Sequence, residues 1–126
     1  GVASALVEVL MNDEDDSARF EAANALGVMG EKNIPALVHA LEFDLSPNVR
    51  QGAVWGLRRI GVGIGPGAKG VVPVLVRALM DTDTDVRYSA ANALKSITFQ
   101  DFGVDVARWQ QWLQGQNWMP PNAPPP

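Results

Sequence analysis

One motif is written three times along this chain, and that repetition constrains the fold more than any other feature. In each copy, a short apolar run precedes a segment that begins with an arginine and is rich in alanine. The arginines are Arg19, Arg50 and Arg87, so the copies are spaced by 31 and 37 residues. A recurring unit of about 20–50 residues indicates a repeat array in which each unit is one supersecondary structure. The repeats are predicted to span about residues 2–30, 34–61 and 68–98.

The arginine-led segment of each repeat is predicted to be an amphipathic helix. Apolar residues stand one position before the arginine and three, seven and ten positions after it, along one face of a helix. These four columns are Ala18/Val49/Val86, Ala22/Ala53/Ala90, Leu26/Leu57/Leu94 and Met29/Ile60/Ile97. The apolar run before each arginine supplies a first helix, and no alternation with a period of two indicates a strand.

Residues with a preference for helix ends mark the expected limits of the second helices. The predicted N-caps are Ser17, Asn48 and Asp85, because their side-chain oxygens can accept free backbone N–H groups. Asn48 and Gln51 have the spacing of a capping box. Gly30 and Gly61 follow the last apolar column and are predicted to stop their helices.

A two-helix unit this short cannot bury its apolar face alone, but stacked units can. The sequence therefore predicts an all-α protein, an α-solenoid of about three helical hairpins forming one domain over residues 1–119. Within it, residues 99–119 are predicted to cap the last repeat through a short helix over residues 105–114, which starts at Asp105 and has one apolar face. That face comprises Val106, Trp109, Trp112 and Leu113. Residues 120–126 form a proline-rich tail.

The third repeat resembles a known family. The run from Asp85 to Leu94, DVRYSAANAL, is similar to the HEAT-like repeats first grouped with phycobilisome lyases, and residues 64–73 resemble the usual turn between repeats of that family. The resemblance covers roughly residues 3–98 and implies a right-handed superhelix. The segment from Asp101 onward, with Trp109 and Trp112, is similar to the tail that closes some bacterial arrays.

Composition removes several classes of function. Ten basic against fourteen acidic residues give a net charge of −4, which disfavours nucleic acid as a partner. The absence of cysteine excludes thiolate sites, and the single histidine, His39, excludes any site that needs two. No apolar run is long enough to span a membrane. We predict no catalytic residue, no metal and no cofactor, and the compartment is left open.

Three features with a possible binding role are each predicted to be structural. The glycine-rich residues 61–70 lack a preceding strand and the Lys-Ser/Thr pair of a phosphate loop. The alternating acids from Asp81 to Asp85 lack the later ligands of a calcium loop. The arginine column is predicted to pair with Asp16, Asp83 or carbonyls of neighbouring turns.

The face of the second helices opposite the core columns is the predicted binding surface. Positions one, five and eight after the arginine point away from the core and are expected to line the concave side of the solenoid. The candidate site residues are Phe20, Asn24, Trp55, Arg58, Tyr88, Asn92 and Lys95. Aromatic residues with asparagine and arginine are typical of interface hot spots. Gly27, Gly52 and Gly56 are expected to leave room for a partner's side chain. In the competing interpretation, each aromatic side chain simply covers the stem of a neighbouring arginine.

Three functions remain open from the sequence. The first is a non-catalytic module that binds a protein or peptide on the concave face. The second is a chromophore-binding or chaperone subunit like the bilin lyases that the repeats resemble. The third is a structural section of a longer array, or self-association through an uncovered first helix. The residues that would make this last contact are Val2, Leu6, Val7 and Leu10.

Overall fold

A computed structural model describes residues 1–65 and 70–115 of the chain. Seven α-helices form this part, together with a 3₁₀ turn over Glu31–Asn33. The helices are α1 (Val2–Asn12), α2 (Asp16–Met29), α3 (Ile34–Phe43), α4 (Pro47–Ile64), α5 (Val71–Ala78), α6 (Thr84–Thr98) and α7 (Val106–Gly115). These described residues contain no strand, which confirms the all-α prediction.

The helices pack as three hairpins in two layers. Within the hairpins, α1 packs against α2, α3 against α4 and α5 against α6. The second helices form one layer, in which α4 lies between α2 and α6 and contacts both. The first helices form the other layer, with α3 touching both α1 and α5, and α7 packing on α5. This arrangement is the predicted α-solenoid of helical hairpins.

The apolar columns read from the sequence form the core in the second and third repeats. All eight of their residues are buried, with exposed fractions of 4% or less. The first repeat differs at both ends of the stripe, because Ala18 is half-buried and Met29 is 48% exposed, against 4% for Ile60. The prediction that Met29 is a core residue is therefore wrong.

The second helices begin about two residues earlier than predicted. Their N-caps are Asp15, Ser46 and Asp83, rather than Ser17, Asn48 and Asp85. The Asp15 carboxylate accepts the backbone N–H of Ser17, and the Asp83 carboxylate accepts that of Val86. Helix α4 starts with Pro47, whose fixed φ and missing N–H suit the first turn. Two of these three caps are aspartates that accept a first-turn backbone N–H, at the helix end where negative charge is favourable.

The predicted capping box does not form, because Gln51 is used elsewhere. Its side-chain amide donates to the Ser89 hydroxyl on α6, at 2.9 Å. Gly30 does end α2, with φ of 111°. Gly61 does not end α4, which continues to Ile64 and stops at Gly65 with φ of 87°. Gly61 is instead a packing position, since a Cβ there would lie 2.5 Å from Ile97 Cδ1.

The glycines of the second helices allow close approach of α2 and α4, and they leave no space for a partner. A Cβ on Gly27 would lie 2.5 Å from the Cα of Gly56, so the two backbones nearly touch there. A Cβ on Gly52 would lie 2.8 Å from the Phe20 ring, and one on Gly56 would meet Leu37 and the Ala23 carbonyl. The room that the sequence predicts at these three Cβ positions is thus already filled by atoms of the first and second repeats.

Helix α7 packs at the C-terminal end of the first-helix layer, on the apolar face that the sequence predicts. Trp109 and Leu113 are buried there, and the Trp109 indole donates to the Gly103 carbonyl at 3.0 Å. Asp105 accepts the backbone N–H of Arg108, as expected of the residue before the helix. The Phe102 ring meets Trp109 edge-on, with ring centroids 4.8 Å apart. Residues 116–119 of the predicted cap and the tail 120–126 lie outside the described residues.

The outer face of α1 is only partly covered. Val2 is 70% exposed, while Leu6 and Val7 are half-buried against the core. Leu10 is 2% exposed and belongs to the core of the first repeat. It is therefore unavailable for the docking surface that the sequence predicts for this helix.

Candidate functional site

The arginine column forms a ladder that joins each repeat to the next. Arg19 places Nε 3.1 Å and Nη2 3.2 Å from the two carboxylate oxygens of Asp44. Arg50 makes the same bidentate pair with Asp81, at 3.0 Å for both contacts. In each pair both side chains are 16% exposed or less, which reduces screening by solvent. The ladder is therefore part of the scaffold.

The remaining contacts of the ladder fix the turns between first and second helices. The third guanidinium nitrogen of Arg19 donates to the Asp13 carbonyl, and that of Arg50 to the carbonyls of Asp44 and Leu45. Asp44 and Asp81 also each accept a backbone N–H two residues further on, from Ser46 and Asp83. One carboxylate thus ties together its own turn and the arginine of the preceding repeat.

This ladder was predicted with the wrong acidic partners. Asp16 accepts the Ser46 hydroxyl and Asp83 caps α6, so neither forms an ion pair with an arginine among the described residues. The hydrogen bond that Arg19 donates to Asp44 raises the pKa of Arg19 above its ordinary value, so this guanidinium stays charged over the working pH range. Asp81 is the first residue of the alternating acids that resemble a calcium loop, and its carboxylate forms an ion pair with Arg50.

The first junction, defined as the contact between α2 and α4, carries an open groove on the second-helix layer. The groove has a volume of about 660 Å³, within the range of small-molecule and side-chain pockets. It is lined by Asn24, Val28, Trp55, Gly56, Arg58, Arg59 and Val62. Three of the seven predicted site residues, Asn24, Trp55 and Arg58, therefore meet around one cavity.

Trp55 is the largest side chain in this groove and is held from one side. The Phe20 ring meets it edge-on, with centroids 5.8 Å apart and an interplanar angle of 72°. Phe20 itself is half-buried over Gly52, so it supports Trp55 more than it offers a surface of its own. Trp55 remains 43% exposed, and the neighbouring groove residues Val28 and Val62 are 66% and 52% exposed.

Both charged residues of the groove are arginines. Arg58 Nε donates to the Ser96 hydroxyl at 3.1 Å, which anchors that guanidinium between α4 and α6. Arg59 makes no side-chain hydrogen bond within the described residues, and neither arginine pairs with a carboxylate there. The groove therefore combines an exposed indole, two aliphatic side chains and two cations with unused donors.

Of the remaining predicted site residues besides Phe20, three stand along α6, which meets α4 in the second junction, defined as the contact between these two helices. Tyr88 is 62% exposed and Asn92 is also exposed. Lys95 lies 3.6 Å from the Asp101 carboxylate, and both are exposed. None of these three residues lines the groove of the first junction. The Phe20 ring packs against the Trp55 ring, whereas the competing interpretation has each aromatic side chain cover an arginine stem.

Sequence reasoning missed Val28, Arg59 and Val62, although a signal for them was present. Val28 and Arg59 stand nine positions after the arginine of their repeats, and Val62 stands twelve after it. On a helix these positions flank the predicted columns at one, five and eight. Val28 and Val62 could have been identified because each is an apolar residue at a position that points away from the core.

Over residues 1–65 and 70–115, no group of three or more His, Asp or Glu side chains is placed to hold a metal ion. Within the same ranges, no helix is both long enough and apolar enough for a membrane span. His39 is exposed and packs beside Phe43, with ring centroids 5.0 Å apart.

Hairpins stacked in two layers, tied by an arginine–aspartate ladder, define an α-solenoid with an open groove on its second helices. The family model for HEAT repeats matches residues 3–95. The chain therefore belongs to the HEAT repeat family, whose members commonly act as scaffolds for protein interactions. A search of the curated proteins finds no match to the chain.

Proposed function

We propose that this chain is a non-catalytic interaction module that binds a protein segment in the groove between α2 and α4. The observation that carries the proposal is the exposure of Trp55 inside a cavity of about 660 Å³. A large aromatic side chain in a concave site is the usual anchor of a binding hot spot. The face of the solenoid that would be used is the one expected to be concave, as in other repeat proteins with extended binding surfaces.

The packing of Phe20 against Trp55 favours this function because it holds the indole as a rigid anchor. The edge of Phe20 and the close packing of Gly52 beneath Phe20 restrict how the indole can move. A preorganised aromatic loses little conformational entropy when a partner covers it. We place Asn24 and Arg58 beside it as hydrogen-bond donors to the partner, with Tyr88, Asn92 and Lys95 as an extension of the same surface.

Selection from a random peptide library displayed on phage tests this proposal. Selected peptides should bind Trp55→Ala at least about tenfold more weakly than the unmodified chain. Phe43→Ala is the matched control, because Phe43 is an aromatic residue that is 68% exposed and lies outside the groove. Val62→Ser is a second groove variant at an exposed position, with little risk to folding. Circular dichroism checks that all variants stay helical. No enrichment, or peptides that bind all variants equally, would contradict the proposal.

A bilin-binding role is the competing hypothesis. Trp55 with Arg58 and Arg59 could also hold a tetrapyrrole with propionate groups, and the resemblance to lyase-type repeats points the same way. Bilin absorbance changes when the chromophore is immobilised, so a spectrum that is unchanged after mixing with the chain would rule this out.

A structural role through the N-terminal edge is the third hypothesis. Asp13 holds the turn position that Asp44 and Asp81 hold in the later repeats, and it accepts the backbone N–H of Asp15. No arginine reaches its carboxylate within the described chain. Sedimentation velocity should show self-association that rises with concentration, and a strictly monomeric chain at high concentration would contradict it.

A further inference from the structure

We propose that the segment bound between α2 and α4 is an acidic peptide, with a bulky apolar residue flanked by carboxylates. This inference rests on the proposed function and adds the chemistry of the partner. The groove residues that would meet it are Val28, Trp55, Val62, Arg58 and Arg59.

The charge of the groove is opposite to that of the chain. The sequence has a net charge of −4, yet every charged residue that lines the groove is an arginine. A local cationic site of this kind favours anionic partners. Two guanidinium groups supply planar donors that match carboxylate oxygens in pairs.

Both cations are available for such a partner. The ion pairs among the described residues use Arg19, Arg50, Arg77 and Lys95, and none of these lines the groove. Arg58 donates one hydrogen bond, from Nε to the Ser96 hydroxyl, which holds the guanidinium in place. Its two terminal nitrogens have no protein partner in the described chain. By contrast, the outward cation of the second junction, Lys95, is paired with Asp101.

The apolar half of the groove requires more than a simple anion. Val28, Trp55 and Val62 are all at least 43% exposed and lie around the same cavity as the arginines. A partner gains most by covering these apolar groups while its anionic groups meet the guanidinium ions. A peptide with glutamate or aspartate on both sides of a phenylalanine or leucine meets both requirements. Nucleic acid would use the two cations but leave the valines exposed to water.

Binding of matched synthetic peptides tests the inference. The probe is a short peptide with a central phenylalanine between glutamates, and its partner peptide has glutamine in place of each glutamate. At low ionic strength, we expect the glutamate peptide to bind about tenfold or more tightly than the glutamine peptide. Raising the salt concentration should reduce that advantage, because exposed ion pairs are screened.

Charge-neutral variants assign the effect to the groove. Arg58→Gln combined with Arg59→Gln should remove the preference for the glutamate peptide. Arg77→Gln is the control, because it removes the same charge from an exposed position outside the groove. It should leave the preference intact.

The possible outcomes distinguish a failure of the acidic-peptide inference from a failure of the proposed peptide-binding function. If both peptides bind equally and both are lost with Trp55→Ala, the groove binds peptides but the acidic partner is wrong. If the library selection and both peptides fail to bind, the proposed function itself is wrong. Tighter binding of a phosphoserine peptide or a short RNA than of the glutamate peptide would overturn the inference in favour of phosphate.

Discussion

The two junctions of the second-helix layer share one scaffold but differ in what they present. Both are tied by a bidentate arginine–aspartate pair, Arg19 with Asp44 and Arg50 with Asp81. The two junctions differ at other side chains of their second helices. In the first junction Phe20 packs over Gly52, whereas in the second Gln51 donates a hydrogen bond to Ser89.

This difference shows which positions the solenoid needs and which are free to vary. The ladder positions repeat because every junction must tie its turns and pair its buried charges. Positions one, five, eight and nine after the arginine vary in chemistry between repeats. The first junction combines close backbone packing at Gly27 and Gly56 with an exposed indole and two arginines that pair with no carboxylate in the described ranges. We therefore assign specificity for a partner to the positions that vary between repeats, and stability to the ladder positions that recur.

The largest expected effect comes from closing the space between α2 and α4. Gly27→Ala puts a Cβ 2.5 Å from Gly56 Cα, and backbone atoms cannot move aside as a flexible side chain can. We expect the free energy of unfolding to fall by about 3 kcal/mol, measured by urea denaturation. Gly63→Ala is the control, since no described atom beyond the neighbouring backbone of α4 lies within 4 Å of its Cβ position. It should stabilise the protein by about 0.5 kcal/mol, and equal losses from both changes would argue against the close approach.

Removal of a ladder arginine should cost less, and the cost should depend on its place in the array. Arg50→Ala leaves the half-buried Asp81 carboxylate without its counter-ion, so we expect a loss of about 2 kcal/mol. Among the described residues, Arg87 donates to the Asp81 carbonyl and the Thr84 hydroxyl and pairs with no carboxylate, so Arg87→Ala should cost about 1 kcal/mol. Thermal unfolding of the two variants compares them directly. If Arg87→Ala costs as much as Arg50→Ala, the ion pairs do not set the strength of the junctions.

The smallest effect is expected between first helices, where the ion pair is exposed. Arg77 and Glu42 approach to 3.6 Å with side chains that are 54% and 37% exposed. Arg77→Ala should change the free energy of unfolding by no more than about 0.5 kcal/mol, because water and salt screen such a pair. A loss near that of Arg50→Ala would mean that the first-helix layer also depends on ion pairs.

The sequence predicted the hairpins and the core because both depend on local periodicity. Leu26, Leu57 and Leu94 recur at equivalent positions and are all fully buried. The helix starts were placed two residues late, because Asp15 and Asp83 compete as caps with equally suitable neighbours. Helix α4 ran past Gly61 since its backbone packs against Ile97, a contact between repeats that the local sequence does not display.

The candidate site was harder to predict because it depends on how two repeats fit together. Trp55 and Arg58 could be assigned to the outward face from helical geometry alone. The distance between α2 and α4 decides the rest of the site. At this distance, Gly27 and Gly56 are buried in the helix contact, and Arg59 and Val62 complete the lining of the groove. Periodicity gives the direction of a side chain and leaves the spacing of neighbouring helices undetermined.

The most direct test of the account is an NMR titration of the isotopically labelled chain with the glutamate–phenylalanine peptide. We predict that the indole N–H signal of Trp55 and the methyl signals of Val28 and Val62 shift together and saturate with one affinity. The Tyr88 and Lys95 signals on α6 should move less. Shifts confined to α6 or to the outer face of α1, with an unmoved Trp55 indole, would contradict the assignment of binding to the first junction.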